Sequence, residues 1–185
     1  MSKQKQIENR LLELVDLEIR EDNEEHYITG MIVPFHQRTD LGAYMEQMSP
    51  NVFDKSISER GDRIPLLETH ARDRFPIGRS TEFTKTKQGL MATFMLANSE
   101  RGREALELAK NFVTGLSVGF IPIKSRTSTD GGRKLVTRVE AKLDHIAMVF
   151  NPQYDQARIM SVREYDPTDT DIAPNLAKYA HYIKK

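Results

Sequence analysis

The sequence contains no cysteine, and that absence alone excludes several kinds of site. Disulfide bonds, zinc sites built on thiolates and cysteine nucleophiles all require a residue that this chain does not have. A net charge is missing as well, because 27 Lys and Arg residues balance 27 Asp and Glu residues. Proteins that bind nucleic acid normally carry a basic excess or a basic patch, so we expect no nucleic-acid partner.

Long apolar runs are also absent. No stretch approaches the roughly 18 consecutive apolar residues of a transmembrane helix, and residues 1–6 lack the apolar part of a secretion signal. The chain has neither a glycine loop that cradles phosphates nor a histidine pair at H-x-x-x-H spacing, although a site built from three distant histidines stays open. We therefore expect a soluble protein made in the cytoplasm, with no membrane contact, no metal and no cofactor.

Apolar residues near the N-terminus recur at the spacing of one helix face. They predict an amphipathic helix over residues 3–18, which either packs on the main domain or serves as an arm that docks to a partner. The apolar positions are Ile7, Leu11, Leu14 and Val15.

The length of 185 residues suits one main domain with appended ends. We predict an N-terminal arm at residues 1–24, the main domain at 25–164 and a mobile tail at 165–185. The tail is rich in Asp, Thr and Pro and offers little to a core.

Short segments rich in β-branched and aromatic residues alternate with turn residues through the main domain. This pattern predicts six to eight short strands around one or two helices, which indicates an α+β fold built on a compact β-barrel or closed sheet. One helix is predicted at about residues 100–111 with Ser99 as its N-cap, and residues 127–132 predict a hairpin turn. The predicted strands include residues 26–35, 63–69, 90–96, 116–123, 134–139, 143–150 and 158–162.

A serine flanked by glycines, Ser117, lies within an apolar run that predicts a strand. Side chains alternate along a strand, so Leu116, Val118 and Phe120 face one side and Ser117 faces the other with Gly119. Glycine in a strand often marks a close approach by another group, and Gly119 leaves such room beside Ser117. The alternative is a tight bend with Ser117 as a buried residue bonded to the backbone.

The G-x-S-x-G spacing is shared with the nucleophile elbow of α/β-hydrolases, but its context here differs. The elbow places its serine between a strand and a helix, with the acid and the histidine later in the chain. Here a helix precedes Ser117, a strand continues after it, and His70 lies before it while His145 lies after it. A serine nucleophile in this chain therefore belongs to another fold.

Two histidines are candidates for partners of Ser117. His70 follows a predicted strand at a polar loop, where it is either functional or a capping or surface residue. His145 lies inside the apolar run 143–150, where it is either a hydrogen-bonded core residue or part of a site. Together with Ser117 they form a candidate Ser-His-X arrangement, whose members are often far apart in sequence.

Several blocks of the chain, in consistent order over about residues 27–162, resemble the HK97-type prohead proteases of bacteriophages. The front blocks are residues 40–42 (DLG), 50–57 (PNVFDKSI), 66–70 (LLETH) and 76–79 (PIGR), and the back blocks are residues 102–105 (GREA), 115–120 (GLSVGF) and 145–158 (HIAMVFNPQYDQAR).

The resemblance implies Ser117 as nucleophile and His70 as general base. It also implies a barrel of about seven short strands with surrounding helices, similar to the herpesvirus assembly proteases. Many prohead proteases have Glu-Val-Ser-Leu-Val where this chain has His145 and the four residues after it. Because herpesvirus proteases use Ser-His-His, we take His145 as the third member in preference to Asp144, which pleating should aim at the opposite face, or Glu140.

The activity implied by this resemblance is that of a serine endopeptidase of phage head maturation. We expect it to cleave scaffold, major capsid protein and itself inside the assembling prohead in the host cytoplasm, as a homo-oligomer without a cofactor. The alternative is a catalytically inactive capsid-assembly or scaffold-binding module with the same fold. We expect activity to fall below about pH 6.5, the unperturbed histidine value, because protonating His145 would remove the acceptor for His70, although His70 titrates in the same range.

Overall fold

The computed structural model describes residues 8–13, 18–22, 25–113 and 115–150. This part of the chain contains ten strands, two α-helices and a short 3-10 turn at Gly61–Arg63. The elements are β1 (Glu8–Glu13), β2 (Glu18–Asp22), β3 (Glu25–Pro34), β4 (Thr39–Asp40), β5 (Met45–Met48), α1 (Asp54–Arg60), β6 (Pro65–Glu68), β7 (Gly78–Lys85), β8 (Gly89–Leu96), α2 (Glu100–Asn111), β9 (Gly115–Asp130) and β10 (Arg133–Val149).

All ten strands belong to one sheet, which curls into a half-barrel. Its main path runs β1-β9-β10-β6-β7-β8-β3-β2, and β5 pairs with both β10 and β4. Strand β10 is the centre of the functional part, since it pairs antiparallel with β9 on one side and parallel with β6 on the other. None of the helices in the described ranges is long and apolar enough to cross a membrane.

The main core lies against one face of this sheet. Leu116, Val118 and Phe120 are completely buried in it, which confirms that they share a face of β9. Helix α2 adds Ala105, Leu106 and Ala109 to the same core. Removing such side chains from water contributes roughly 25 cal/mol per Å² of apolar surface, so this face holds the half-barrel together.

Helix α2 begins as predicted, because the Ser99 side chain accepts a hydrogen bond from the backbone N–H of Gly102. The helix ends at Asn111, and Phe112 is 69% exposed. The backbone leaves the helical conformation at Phe112, which turns its ring toward solvent.

The strands are more numerous, and two of them are longer, than the predicted seven or so short ones. Strands β9 and β10 have 16 and 17 residues and form one long hairpin, which turns at Gly131 and Gly132 with positive φ, as the composition of residues 127–132 predicted. The segments predicted as separate strands at 134–139 and 143–150 are one strand. Register shifts between Arg138 and His145 interrupt its pairing with β9 without ending the strand. The described residues are mostly sheet with two short helices, and the likeness to herpesvirus proteases stays a prediction.

The N-terminal helix predicted over residues 3–18 is wrong for the described part of that range. Residues 8–13 form β1, which pairs antiparallel with β9, and β2 pairs with β3. The helical spacing of apolar residues is a local preference, and the free edges of β9 and β3 offer backbone hydrogen bonds that override it. The domain limits 1–24, 25–164 and 165–185 stay predictions. The tail and the strand predicted at 158–162 lie outside the described residues.

Candidate active site

Ser117, His70 and His145 meet in one chain of hydrogen bonds. The Oγ atom of Ser117 lies 2.7 Å from Nε2 of His70. The other ring nitrogen of His70, Nδ1, lies 2.8 Å from Nε2 of His145. His70 thus uses its two ring nitrogens for two different neighbours. This is the relative placement that nucleophile, base and orienting group have in a catalytic triad.

The pairing of three neighbouring strands brings these residues together. Strand β9 pairs with β10 so that Gly119 lies across from His145 and Ser117 lies across from Ala147. On the other side of β10, strand β6 ends at Glu68, which pairs with Met148. His70 follows two residues later and therefore reaches Ser117 across β10.

A backbone turn at Thr69 directs His70 toward the sheet. Thr69 has a φ of 58°, in the left-handed region that β-branched residues rarely adopt, and its N–H donates to the carbonyl of Met148 at 3.1 Å. Such a conformation costs on the order of 1–3 kcal/mol and is typical of functional sites. The strained residue directly precedes the proposed base, so its backbone conformation affects the direction of the His70 side chain.

Gly119 makes room for the ring of His145. A Cβ atom at position 119 would lie 2.1 Å from Cε1 of His145 and 2.5 Å from each of its ring nitrogens. No side chain other than hydrogen fits there while His145 keeps this place. The sequence predicted an approaching group at Gly119, and the group is the His145 imidazole, which lies beyond His70 in the chain of hydrogen bonds.

Burial differs along this chain of hydrogen bonds. Ser117 is 0% and His145 1% exposed, whereas His70 is only partly buried. Desolvation, and after it the repulsion from His145, lower the pKa of His70 from 6.5 to about 4. His70 is therefore a neutral imidazole at neutral pH, the form that can accept a proton.

Asp144 takes part in the site, contrary to the expectation from pleating. Its Oδ2 lies 2.9 Å from Nδ1 of His145. Leu143 pairs with Phe120 and His145 pairs with Gly119, which are adjacent in β9. Asp144 has no partner in β9 and is therefore the extra residue of a β-bulge. A bulge breaks the alternation of side chains, which is why Asp144 and His145 meet although they are adjacent in sequence.

Helix α1 and the loop after β6 hold this bulge. The N–H of Leu143 donates to Oγ of Ser56 at 3.0 Å, and the guanidinium of Arg60 donates to the carbonyls of Leu143 and Asp144. The guanidinium of Arg72 forms an ion pair with the Asp144 carboxylate, which is 18% exposed. Sequence analysis missed these three supporting residues, since only the fold brings them to position 144.

The other candidates do not join the site. Glu140 pairs with Lys124 and lies five residues before His145, roughly 16 Å along the strand. Among the described residues, no group of His, Asp and Glu could hold a metal ion. His145 instead forms hydrogen bonds with His70 and with Asp144.

Comparisons with known proteins identify a family and a similar fold. Residues 14–171 match the sequence model of the Caudovirus prohead serine protease family. The fold is similar to the capsid assembly protease of bacteriophage T4, with a TM-score of 0.56 and 9% identity over 80% of this chain and 98% of that chain. No curated protein sequence matches this chain. At such low identity the structural likeness shows the fold alone, whereas the family model spans most of the sequence. The chain belongs to the Caudovirus prohead serine protease family.

Proposed function

We propose that this protein is a serine endopeptidase with Ser117 as nucleophile, His70 as general base and acid, and His145 as the orienting residue. The observation that carries the proposal is the continuous hydrogen-bond chain from Ser117 through His70 to His145. An inactive assembly module would need the fold but not a hydroxyl and two imidazoles aligned within 2.7 and 2.8 Å of one another. Membership of a serine protease family supports the same proposal.

The reaction is acyl transfer in two halves. Oγ of Ser117 attacks the peptide carbonyl carbon while its proton moves to Nε2 of His70. The protonated His70 then gives that proton to the leaving amine, the C–N bond breaks, and an acyl-enzyme remains. Water repeats the sequence in the second half, so that the acid product leaves and Ser117 regains its proton.

The second histidine holds the first in the useful tautomer. When Nε2 of His145 accepts the Nδ1–H of His70, Nε2 of His70 carries a lone pair toward Ser117. A neutral imidazole stabilises the positive charge that develops on His70 less than a carboxylate would. We therefore expect a slow enzyme, in which His145→Ala costs less activity than loss of Ser117 or His70.

The pH dependence of activity should reflect the lowered pKa of His70. Because the pKa is about 4, His70 stays neutral well below pH 6.5, and activity is lost only as pH falls through that lower value. The acid limb of kcat/KM, measured on a short peptide substrate, should therefore have its midpoint clearly below the ordinary histidine value of about 6.5. A midpoint at 6.5 or above would contradict the buried, desolvated position of the base.

We further propose that the substrates are the phage scaffold and major capsid protein, and the protease chain itself, within the assembling prohead of the infected cell. The family name and the T4 capsid assembly protease support a place in head assembly. We also propose that the protease works as a homo-oligomer.

Co-expression with the scaffold and major capsid protein of the same phage tests this function. We expect new termini on one or both proteins, found by mass spectrometry, and covalent labelling of the protease by a small fluorophosphonate. Both signals should vanish in Ser117→Ala. Intact partner proteins and no labelling of the folded wild-type chain would favour the inactive assembly module.

A further inference from the structure

The bulge at position 144 gives the site a carboxylate that a Ser-His-His triad does not include. We propose that Asp144 is a positioning residue, which acts through His145 by accepting its Nδ1–H and so sets the direction of the whole hydrogen-bond chain. The proposal rests on the function proposed above and adds a fourth member to the site. It also explains why α1 and the loop after β6 converge on this bulge.

The direction of the chain follows from the hydrogen-bonding capacity of each group. A carboxylate only accepts, so the proton of neutral His145 must lie on Nδ1, at 2.9 Å from Oδ2 of Asp144. Nε2 of His145 then holds a lone pair and accepts from Nδ1–H of His70. His70 in turn has its lone pair on Nε2, facing the hydroxyl of Ser117.

Without the carboxylate the opposite tautomers become available. A proton on Nε2 of His145 would point at Nδ1 of His70 and move the His70 proton to Nε2. That nitrogen would then donate toward Ser117 and could not take its proton. His145 alone does not distinguish the two directions, because a neutral imidazole has one donor and one acceptor nitrogen. Asp144 selects one of the two directions, because its carboxylate can only accept the Nδ1–H of His145.

Contacts from other elements fix the carboxylate in place. Arg60 on α1 binds the carbonyl of Asp144 itself and that of Leu143, and Ser56 binds the N–H of Leu143. Arg72 binds the same Oδ2 that faces His145. A side chain on a bulge with both its backbone and its carboxylate held has little freedom, as a positioning role requires.

The charges around the two histidines determine the sign of the expected pH effect. Asp144 is the anion in contact with the pair, and the cations facing it are Arg72 from the loop after β6 and Arg60 from α1. Glu68 at the end of β6 is paired with Arg101 and Arg74. Strand β9 contributes the uncharged Ser117 and Gly119.

The carboxylate should therefore favour a positive charge on the nearby His70 imidazole, and Arg72 should oppose it. Removing the negative charge moves the acid limb of kcat/KM to lower pH, because His70 binds its proton less tightly. Removing the Arg72 cation while keeping the carboxylate moves the limb to higher pH. If Asp144 and Arg72 served packing alone, substituting either of them would leave the acid limb of kcat/KM unchanged.

The experiment compares Asp144→Asn, Asp144→Ala and Arg72→Gln with the wild type on one peptide substrate. We expect kcat to fall roughly 10- to 100-fold in Asp144→Ala with little change in KM, less than the ~10⁴-fold loss known when the group bonded directly to the base is altered. The acid limbs of both Asp144 variants should move down and that of Arg72→Gln up. Asp130→Asn, which breaks the ion pair with Arg38 at the far end of the hairpin, is the matched control and should leave both unchanged.

A second measurement does not depend on activity. In the Ser117→Ala protein, ¹⁵N NMR of the imidazoles should show His145 protonated on Nδ1, and Asp144→Ala should shift that proton toward Nε2. Unchanged tautomers, or a fall in kcat without any movement of the acid limb, would overturn the proposal. If the wild type hydrolyses nothing, the proposed function fails, and the tautomers still decide the role of Asp144.

Discussion

Ser117→Ala and His70→Ala are each expected to lower the rate of peptide hydrolysis by a factor on the order of 10⁶. The hydroxyl and the imidazole act as a unit, joined at 2.7 Å, because the hydroxyl is a weak nucleophile until the imidazole takes its proton. The double variant should therefore be no slower than either single one. Rates are best measured on a quenched fluorescent peptide that carries the cleavage site found by co-expression.

The controls separate chemistry from folding. Ser128→Ala removes an exposed hydroxyl from the distal part of the same strand, β9, and should keep wild-type activity. Thermal unfolding and circular dichroism should show that all the variants are folded. A folded Ser117→Ala protein that still processes its substrate would remove Ser117 from the mechanism. A large further loss in the double variant would show that the two residues act separately.

The parts of the site that sequence could predict are those that depend on short-range pattern. Alternation along β9 gave the face of Ser117, and the glycine two residues later indicated a close approach. The resemblance to prohead proteases supplied His70 and the choice of His145. Each of these needs only a few neighbouring residues or a matching block.

The parts that sequence could not predict depend on contacts between distant segments. Period-two alternation aims Asp144 away from His145, and the bulge that overrides it is held by Arg60 and Ser56, more than 80 residues away along the chain. The N-terminal strand has the same origin, since the edge of β9 that it covers is more than 100 residues distant. Local periodicity favoured a helix there, and pairing with the sheet decided otherwise.

Gly119→Ala is expected to lower kcat by roughly 100-fold or more, although it adds a single methyl group at a position that touches no substrate group in the proposed mechanism. The new Cβ would lie 2.1 to 2.5 Å from atoms of the His145 ring, so the ring must move by more than about 1 Å to reach an ordinary contact distance. His145 is buried and bonded at both ends, to His70 and Asp144, so its movement disturbs the tautomer and the direction of the base. Displacements of this size are known to cost about two orders of magnitude in rate.

A double-mutant cycle with His145→Ala distinguishes this clash from a general cost of alanine in the strand. In the wild-type background, Gly119→Ala should reduce both kcat and the melting temperature. In the His145→Ala background the space above position 119 is vacant, so the same substitution should change neither further. If Gly119→Ala is equally harmful in both backgrounds, the glycine serves the strand and not the histidine. If it is harmless in both, the imidazole does not lie over position 119, and the chain of hydrogen bonds from Ser117 through His70 ends without its third member.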